Sequence, residues 1–329
     1  MSIKQFSIYK LHFTSPLHIG DSREDYGISQ KTMNSDAMYA ALTSCLAKMG
    51  YCIPDNGDLG CTISSLFPFY QMDGQSSSVL FFPKPLGVDQ SQLGGNVSDI
   101  KKLKKIAWRD LPHFEKAING ECLIDEGKQS QVIQGIYLTN DELDKDFVSS
   151  QVSQRVMVSR DHSEDALPFY MDRIFFKDYS GLFFLAMGDT SLLDKAMELL
   201  RTEGIGTDRN VGNGFFEYET EKIELRIPEN ASKSLSLSMF IPSSKEQLSI
   251  MLNSSDVAYD FQRRGGWITT PPHTTIRKNA IYAFGAGSVF AKLNDDIITE
   301  GSIVDLRPSK VDINHPIWRC GRSIFIPTK

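Results

Sequence analysis

A glycine-rich stretch beyond the middle of the chain is the clearest candidate for binding a phosphate group. Its glycines follow the spacing G-x-G-x5-G-x-G, and they are Gly204, Gly206, Gly212 and Gly214. Arg209 and Asn210 lie between the two pairs. A glycine-rich backbone can turn N–H groups toward a phosphate, and Arg209 adds a planar positive group. The pattern favours an anionic ligand, although the same glycines could form only an irregular helix end.

The elements around this loop differ from those of common nucleotide-binding motifs. A helix-like pattern from Asp189 to Glu203 precedes the loop, and a strand-like pattern from Phe215 to Thr220 follows it. In the dinucleotide fingerprint the glycines follow a strand and open a helix, which is the opposite order. The chain also lacks G-x-x-x-x-G-K-[ST], so we do not expect an NTP-binding loop.

His18 is the residue to weigh as a catalyst, because it lies in a glycine-bounded loop after the first predicted strand. Cleavage of a phosphodiester by acid–base chemistry needs a base, an acid and a group that stabilises the transition state. His18 could supply one of these, and the sequence places no second histidine or lysine near it. We therefore favour ligand contact or loop anchoring over catalysis. Further candidate contact residues in the same loop are Gly20, Ser22, Arg23 and Lys31.

No metal or cofactor site is indicated by the residue spacing. The five cysteines contain no C-x-x-C pair, and the six histidines do not combine with them at zinc-ligand spacing. G-x-S-x-G and H-E-x-x-H are absent. We therefore expect no catalytic residue, no metal and no cofactor.

Composition limits the kind of binding to expect. The chain has 329 residues, a net charge of −6 and an apolar fraction of 41%. This acidic balance argues against free-standing, non-specific nucleic-acid binding, but it leaves room for a local basic surface. The odd cysteine count, the missing signal peptide and the lack of an apolar run of about eighteen residues indicate a cytoplasmic protein without a membrane span.

Hydrophobic periodicity predicts the elements that position the loop. Gln5–Phe13 alternates like a strand, Ser35 is the expected N-cap of an amphipathic helix that Gly50 closes, and residues 181–187 form an apolar strand. With the helix before the glycines and the strand after them, the order is β-α-β…β-α-β, which is typical of a ferredoxin-like unit. A second unit is expected from about Glu221.

Several arginines outside the glycine loop are candidates for phosphate contacts. Arg155 and Arg160 belong to an extended segment, and Arg173 lies where that segment returns to the sheet. Residues 261–294 contain no Asp or Glu, yet they include Arg263, Arg264 and the aromatic Trp267. Such a segment in an acidic chain indicates a face that meets phosphate or an acidic partner. The basic run 101–109 is more simply explained as a solvated face.

The glycine loop resembles that of the RAMP superfamily of CRISPR-associated RNA-binding proteins. Other stretches extend the match across most of the chain: Ser15–Gly20, Ser35-Asp36, Phe82–Pro85, Gly285–Phe290, and His315–Trp318 with Gly321. Their order resembles the family of the fourth Csm subunit, a Cas-five-like protein of type III-A effector complexes.

This resemblance implies a fold, partners and a role. The fold would be α+β, with two ferredoxin-like (RRM-like) units: residues 1–220, with the glycine-rich loop and a thumb-like insertion, and residues 221–329. The protein would be a non-catalytic subunit that caps the 5′ handle of the CRISPR RNA (crRNA). It would bridge the large Cas-ten-type subunit to the backbone RAMP subunit.

Two alternatives remain open at the level of sequence. Some related RNA-processing nucleases use a loop histidine, so the chain could be a metal-independent endoribonuclease that relies on His18. It could also be a scaffold without RNA contact, in which the glycine loop is only a turn.

Overall fold

A large mixed sheet forms the centre of the computed structural model, which describes residues 2–20, 26–71, 78–87, 104–123, 130–158 and 165–329. Helices and strands together give the α+β fold that the sequence predicts. In spatial order the strands are β11 (Phe216–Ile227), β1 (Ser2–Phe13), β10 (Ser180–Gly188), β3 (Phe67–Gln71), β4 (Ser78–Pro83), β5 (Trp108–Asp110), β7 (Tyr137–Thr139) and β6 (Gln131–Ile133), with β2 (Cys61–Ile63) also paired to β10.

Two helices cover one face of this sheet. They are α1 (Ser35–Lys48) and α3 (Ser191–Glu203), and their buried side chains recur every three or four residues, as predicted. Leu42 of α1 and Leu193 of α3 join Leu11 and Phe184 of the sheet in one core. This packing fixes the end of α3, from which the glycine-rich loop departs.

The start of α1 differs from the prediction. Ser35 is the first helical residue, and Asn34 occupies the N-cap position without a side-chain cap. The Ser35 hydroxyl instead accepts a 2.8 Å hydrogen bond from the backbone N–H of Met239. Ser35 therefore links α1 to the C-terminal part of the chain.

A second sheet covers the opposite face of the large sheet. Its strands, in spatial order, are β15 (Val289–Ala291), β12 (Lys233–Ser236), β19 (Ser323–Thr328) and β16 (Ile298–Glu300). Leu235 and Ile326 of this sheet share a core with Ile8 and Phe183 of the first. Helix α2 (Leu111–Ile118) closes one side of that core, and α4 (Lys245–Met251) lies beside the second sheet.

Strand β11 crosses the predicted domain boundary between residues 220 and 221. It pairs with β1 along its whole length, from Phe13 opposite Phe216 to Ser2 opposite Ile227. The first sheet therefore ends at Ile227 rather than at Thr220, because cutting the chain at residue 220 would divide one continuous strand.

Three two-stranded ribbons extend from these sheets. β8 (Val148–Met157) pairs with β9 (Leu167–Phe176) over ten residue pairs, in the region predicted to hold the insertion. β13 (Phe261–Arg264) pairs with β14 (Ile281–Phe284), and β17 (Ile303–Asp305) pairs with β18 (Trp318–Cys320).

Candidate nucleic-acid interface

The glycine-rich loop is joined to residues 14–18 by backbone hydrogen bonds. Thr207 donates its N–H to the His18 carbonyl at 2.8 Å, and Gly214 donates to the Pro16 carbonyl at 2.8 Å. The N–H of Phe215 donates to the Ser15 hydroxyl at 2.8 Å. The sequence placed these two loops about 190 residues apart, and the fold brings them into direct contact.

Glycine is required at positions 206 and 214 because neighbouring backbone carbonyls leave no room for a side chain. A Cβ on Gly206 would overlap the His18 carbonyl, and a Cβ on Gly214 would overlap the Ile205 carbonyl. Both also have positive φ, +87° and +79°, which favours glycine. These two glycines therefore allow close backbone contacts within the protein.

Most backbone donors of this loop already have protein acceptors. Among them, the N–H groups of Gly204, Ile205 and Gly212 donate to Leu200, Gly214 and Arg209. A donor that is bound to a carbonyl is not free for a phosphate. The expectation that the whole loop cradles phosphate through its N–H groups therefore needs correction, and the exposed apex is the strongest remaining candidate.

The loop apex comprises residues 208–212 and includes a 3-10 turn, Arg209–Val211. Asn210 and Gly212 are exposed, and a Cβ on Gly212 would meet nothing within 4 Å. The Arg209 side chain is 40% exposed and lies 3.8 Å from the Glu203 carboxylate. Since an exposed pair of this kind is weak, Arg209 remains available to a phosphate.

His18 lies inside the protein, unlike a residue poised to act on RNA. It is 1% exposed, and its Nδ1 lies 2.6 Å from the backbone carbonyl of Asp172. Its ring stacks on Tyr26 with ring centroids 6.0 Å apart. The ring therefore anchors the loop to β9, and its backbone carbonyl supports Thr207.

The remaining candidates near His18 are only partly described. Gly20 and Lys31 are both half-buried, and the N–H of Gln30 donates a 2.9 Å hydrogen bond to the Ile19 carbonyl. Ser22 and Arg23 lie outside the described residues, as does Arg160 of the extended segment.

Arg155 and Arg173 lie on one face of the β8–β9 ribbon. Arg155 is opposite Phe169 and Arg173 is opposite Gln151, which places the two arginines four residue pairs apart, or roughly 13 Å along the strand. Arg173 also packs over Phe175, 5.5 Å from the ring centroid. The other face of the ribbon exposes Val152, Val156 and Tyr170, so the ribbon is apolar as well as basic.

The C-terminal arginines separate into one exposed and one bound residue. Arg263 is exposed on β13. Arg264, in contrast, makes two hydrogen bonds to the Asp36 carboxylate, at 2.7 and 3.0 Å. Trp267 stacks against Arg277, whose guanidinium lies 4.9 Å from a ring centroid. Arg264 therefore has a carboxylate partner in α1, and we no longer group it with the phosphate-contacting candidates.

Asp36 is the centre of a buried ion cluster that the sequence analysis missed. It is 1% exposed and also accepts a 2.8 Å hydrogen bond from Arg319 of β18. Burial and the charge of Arg319 lower the pKa of neighbouring Lys278 to about 8. The cluster connects α1 with two ribbons of the C-terminal region, and no local pattern marked it because Asp36 is more than 200 residues from its arginine partners.

Arg109, the last residue of the basic run 101–109, does not lie on a solvated face as the sequence predicts. This side chain is 1% exposed, and its Nε and Nη1 have no hydrogen-bond partner in the structure. Burial lowers the pKa of Arg109 to about 10. The expectation of a solvated face is therefore wrong for this residue.

The described part of the chain contains no group of three or more His, Cys, Asp or Glu side chains that could hold a metal ion. None of its helices is both long and apolar enough to cross a bilayer.

Sequence comparisons identify relatives of the chain. Residues 229–328 match the family model of the CRISPR Csm4 C-terminal domain. A "CRISPR system Cms protein Csm4" from Streptococcus thermophilus is 25% identical over 337 residues, covering 97% of this chain and 98% of the relative. A protein of the same name from Mycobacterium tuberculosis is 24% identical over 312 residues, covering 92% of each chain.

Solved structures share the fold across nearly the whole chain. A chain of the Csm3-Csm4 subcomplex in the type III-A CRISPR-Cas interference complex matches with a TM-score of 0.58 at 17% identity, covering 99% of this chain and 100% of that one. A chain of the Csm1-Csm4 cassette in complex with cA4 matches with a TM-score of 0.57 at 18% identity, covering 99% and 98%. Residues 229–328 therefore match the Csm4 C-terminal domain family, and the chain as a whole is similar to proteins named Csm4 over nearly its full length.

Proposed function

We propose that this protein is a non-catalytic RNA-binding subunit that caps the 5′ handle of crRNA. It would bridge the large Cas-ten-type subunit to the backbone RAMP subunits of a Csm complex. The main support is the fold match over 99% of the chain to relatives solved in Csm1-Csm4 and Csm3-Csm4 assemblies. The chain would contact the large subunit through one surface and the backbone subunit through another. The RNA would lie between these two neighbours.

We also infer a ferredoxin-like core for the first unit. Its strands β11, β1, β10 and β3 lie side by side in that order, with α1 and α3 against one face. Along the chain, the four strands of this unit are β1, β3, β10 and β11. In the sheet, β1 lies between β11 and β10, and β3 lies on the other side of β10, as in a β-α-β-β-α-β unit. Residues 229–329 contain one helix of seven residues, so the predicted full repeat does not extend to the second unit.

The proposed RNA surface combines the loop apex with basic positions around it. Arg209 and Asn210 project from the apex, Lys31 lies on the loop that ends near α1, and Arg155 and Arg173 share a ribbon face. Exposed cations neutralise phosphates, and an extended ribbon can separate successive nucleotides. An acidic subunit suits this role because its neighbours can complete the positive channel.

The geometry of His18 supports binding over cleavage. A general base must come within hydrogen-bond reach of the proton that it removes. The His18 ring is buried and bound to the Asp172 carbonyl, so it lies out of reach of RNA on the surface. No observation favours the endoribonuclease alternative.

Protection of the handle tests the proposed function. In a complex reconstituted with this chain, the 5′ end of the crRNA should resist a 5′-exonuclease, whereas a complex without the chain should lose its handle. Equal digestion of both samples would contradict capping. A metal-independent cut in repeat RNA that His18→Ala abolishes would instead favour the endoribonuclease.

Two arginine substitutions test the phosphate contacts. Arg209→Ala and Arg263→Ala should each weaken handle binding. Each should also reduce the steepness of the plot of log K against log salt concentration by about 0.7, since one phosphate contact is lost. Binding titrations at several salt concentrations measure this slope. Arg201→Ala is a matched control, because Arg201 of α3 forms an ion pair with Glu217 at 2.6 Å. If both variants keep the wild-type slope, neither arginine contacts a phosphate.

A further inference from the structure

The outer face of the β13–β14 ribbon exposes an aromatic cluster. Phe261 lies opposite Phe284 and Arg263 lies opposite Tyr282, and residues opposite each other project from the same side. We call Phe261, Arg263 and Tyr282 the outer ribbon face. Phe284 sits at its edge and packs on Phe240 of the core.

Two aromatic rings of this face are largely open to solvent. Phe261 is 54% exposed and Tyr282 is 61% exposed, and their ring centroids lie 5.6 Å apart. Tyr259, 44% exposed, adds a third ring 6.2 Å from Phe261. Single exposed apolar residues are ordinary, but clustered exposed aromatics indicate a binding surface.

The inner face of the ribbon is held firmly by the rest of the protein. Ala283 is 1% exposed and packs with Met239 and Ile241. Arg264 is hydrogen-bonded to Asp36 of α1. The aromatic rings are therefore presented from a fixed ribbon, which lowers the entropy lost when a ligand binds.

The charge around the outer ribbon face fits a polyanion. Residues 261–294 contain no Asp or Glu, and Arg263 is exposed with no ion pair to the described residues. Asp260, the acid next to Phe261, lines a cavity on the inner side together with Asn34 and Gln262. Aromatic rings beside a free arginine combine base stacking with phosphate neutralisation, which a neutral protein surface does not require.

We propose that the outer ribbon face is a base-stacking surface for single-stranded RNA. Two successive bases would stack on Phe261 and Tyr282, and Arg263 would contact the phosphate between them. This inference rests on the proposed function and assigns to it a site that is separate in sequence from the glycine loop. The sequence analysis included Arg263 but none of the aromatic residues.

Photocrosslinking in the assembled complex locates the RNA. Guide RNAs with 4-thiouridine at successive handle positions are irradiated, and the adducts are mapped by mass spectrometry. We expect an adduct in the peptide containing Phe261 or in that containing Tyr282. Adducts elsewhere in the chain but none in the ribbon would overturn this inference and leave RNA binding intact. A chain without any adduct would contradict the proposed function itself.

Leucine substitution separates stacking from apolar docking. Phe261→Leu combined with Tyr282→Leu keeps apolar side chains but removes both rings, so the guide RNA should dissociate from the reconstituted complex at least about tenfold faster. Tyr179→Leu removes a ring that is 52% exposed elsewhere and should leave this rate unchanged. An unchanged rate in the double variant, or failure of that variant to join its partner subunits, would overturn the inference.

Discussion

Replacing Asp36 with alanine should lower the free energy of unfolding by about 3–5 kcal/mol, because it leaves buried arginine charge without its partner. The Asp36 carboxylate binds Arg264 and Arg319, whose side chains are 21% and 6% exposed. Removing one partner of a buried ion pair costs more than the pair itself contributes, since the remaining charges are neither hydrated nor neutralised. Lys278 nearby adds to the uncompensated positive charge.

Denaturant unfolding of the isolated subunit measures this effect. Asp296→Ala is the control, because Asp296 pairs with Lys4 at 2.7 Å on the surface and such pairs contribute at most about 1 kcal/mol. Asp36→Asn keeps the shape of the side chain and should still be clearly destabilised. Equal midpoints for Asp36→Ala and Asp296→Ala would show that the cluster does not hold the two parts together.

Gly214→Ala should destabilise the protein by about 2–5 kcal/mol and also weaken RNA binding. The alanine would need a left-handed backbone conformation at φ +79°, and its Cβ would overlap the Ile205 carbonyl. Relief of that overlap requires Gly214 and Ile205 to move apart, which displaces Gly214 from its position beside Pro16. The hydrogen bond from Gly214 to the Pro16 carbonyl would then lengthen, and the apex with Arg209 would shift.

Gly212→Ala provides the matched comparison for this prediction. Gly212 also has positive φ, +91°, but an added Cβ would contact nothing within 4 Å. It should therefore cost about 1–2 kcal/mol, from backbone conformation alone. Thermal melting and handle titration of both variants would separate the two causes. Similar losses in both would mean that the close approach of Gly214 to the Ile205 carbonyl is unimportant.

The elements that the sequence predicted well are those with a local signal. Helices α1 and α3 carry apolar residues at helical spacing, and the strand of residues 181–187 is continuously apolar, so their positions were clear from the chain alone. The glycine spacing likewise marked the turn between α3 and β11. Ser35 was misassigned as an N-cap because its hydroxyl binds Met239, a partner that no local pattern indicates.

The details of the candidate site depended on partners far apart in the sequence. Gly206 and Gly214 suggested free backbone donors, but their neighbours in space are the carbonyls of residues 14–18 and of Ile205. Arg264 and Arg263 are adjacent in sequence and point to opposite sides of a strand, so only one meets Asp36. The sequence placed His18 in a loop, and a loop position does not reveal whether the side chain is buried.

The central sheet has consequences for how any nucleic acid can be held. Many RRM domains stack bases on the open face of their sheet. Here that face is filled by Leu235 and Ile326 of the second sheet, while helices occupy the reverse side. Among the described residues, this sheet offers no flat platform for a strand of RNA. The proposed contacts would therefore lie at the margins of the molecule, where loops and ribbons project, and the RNA would follow its outline.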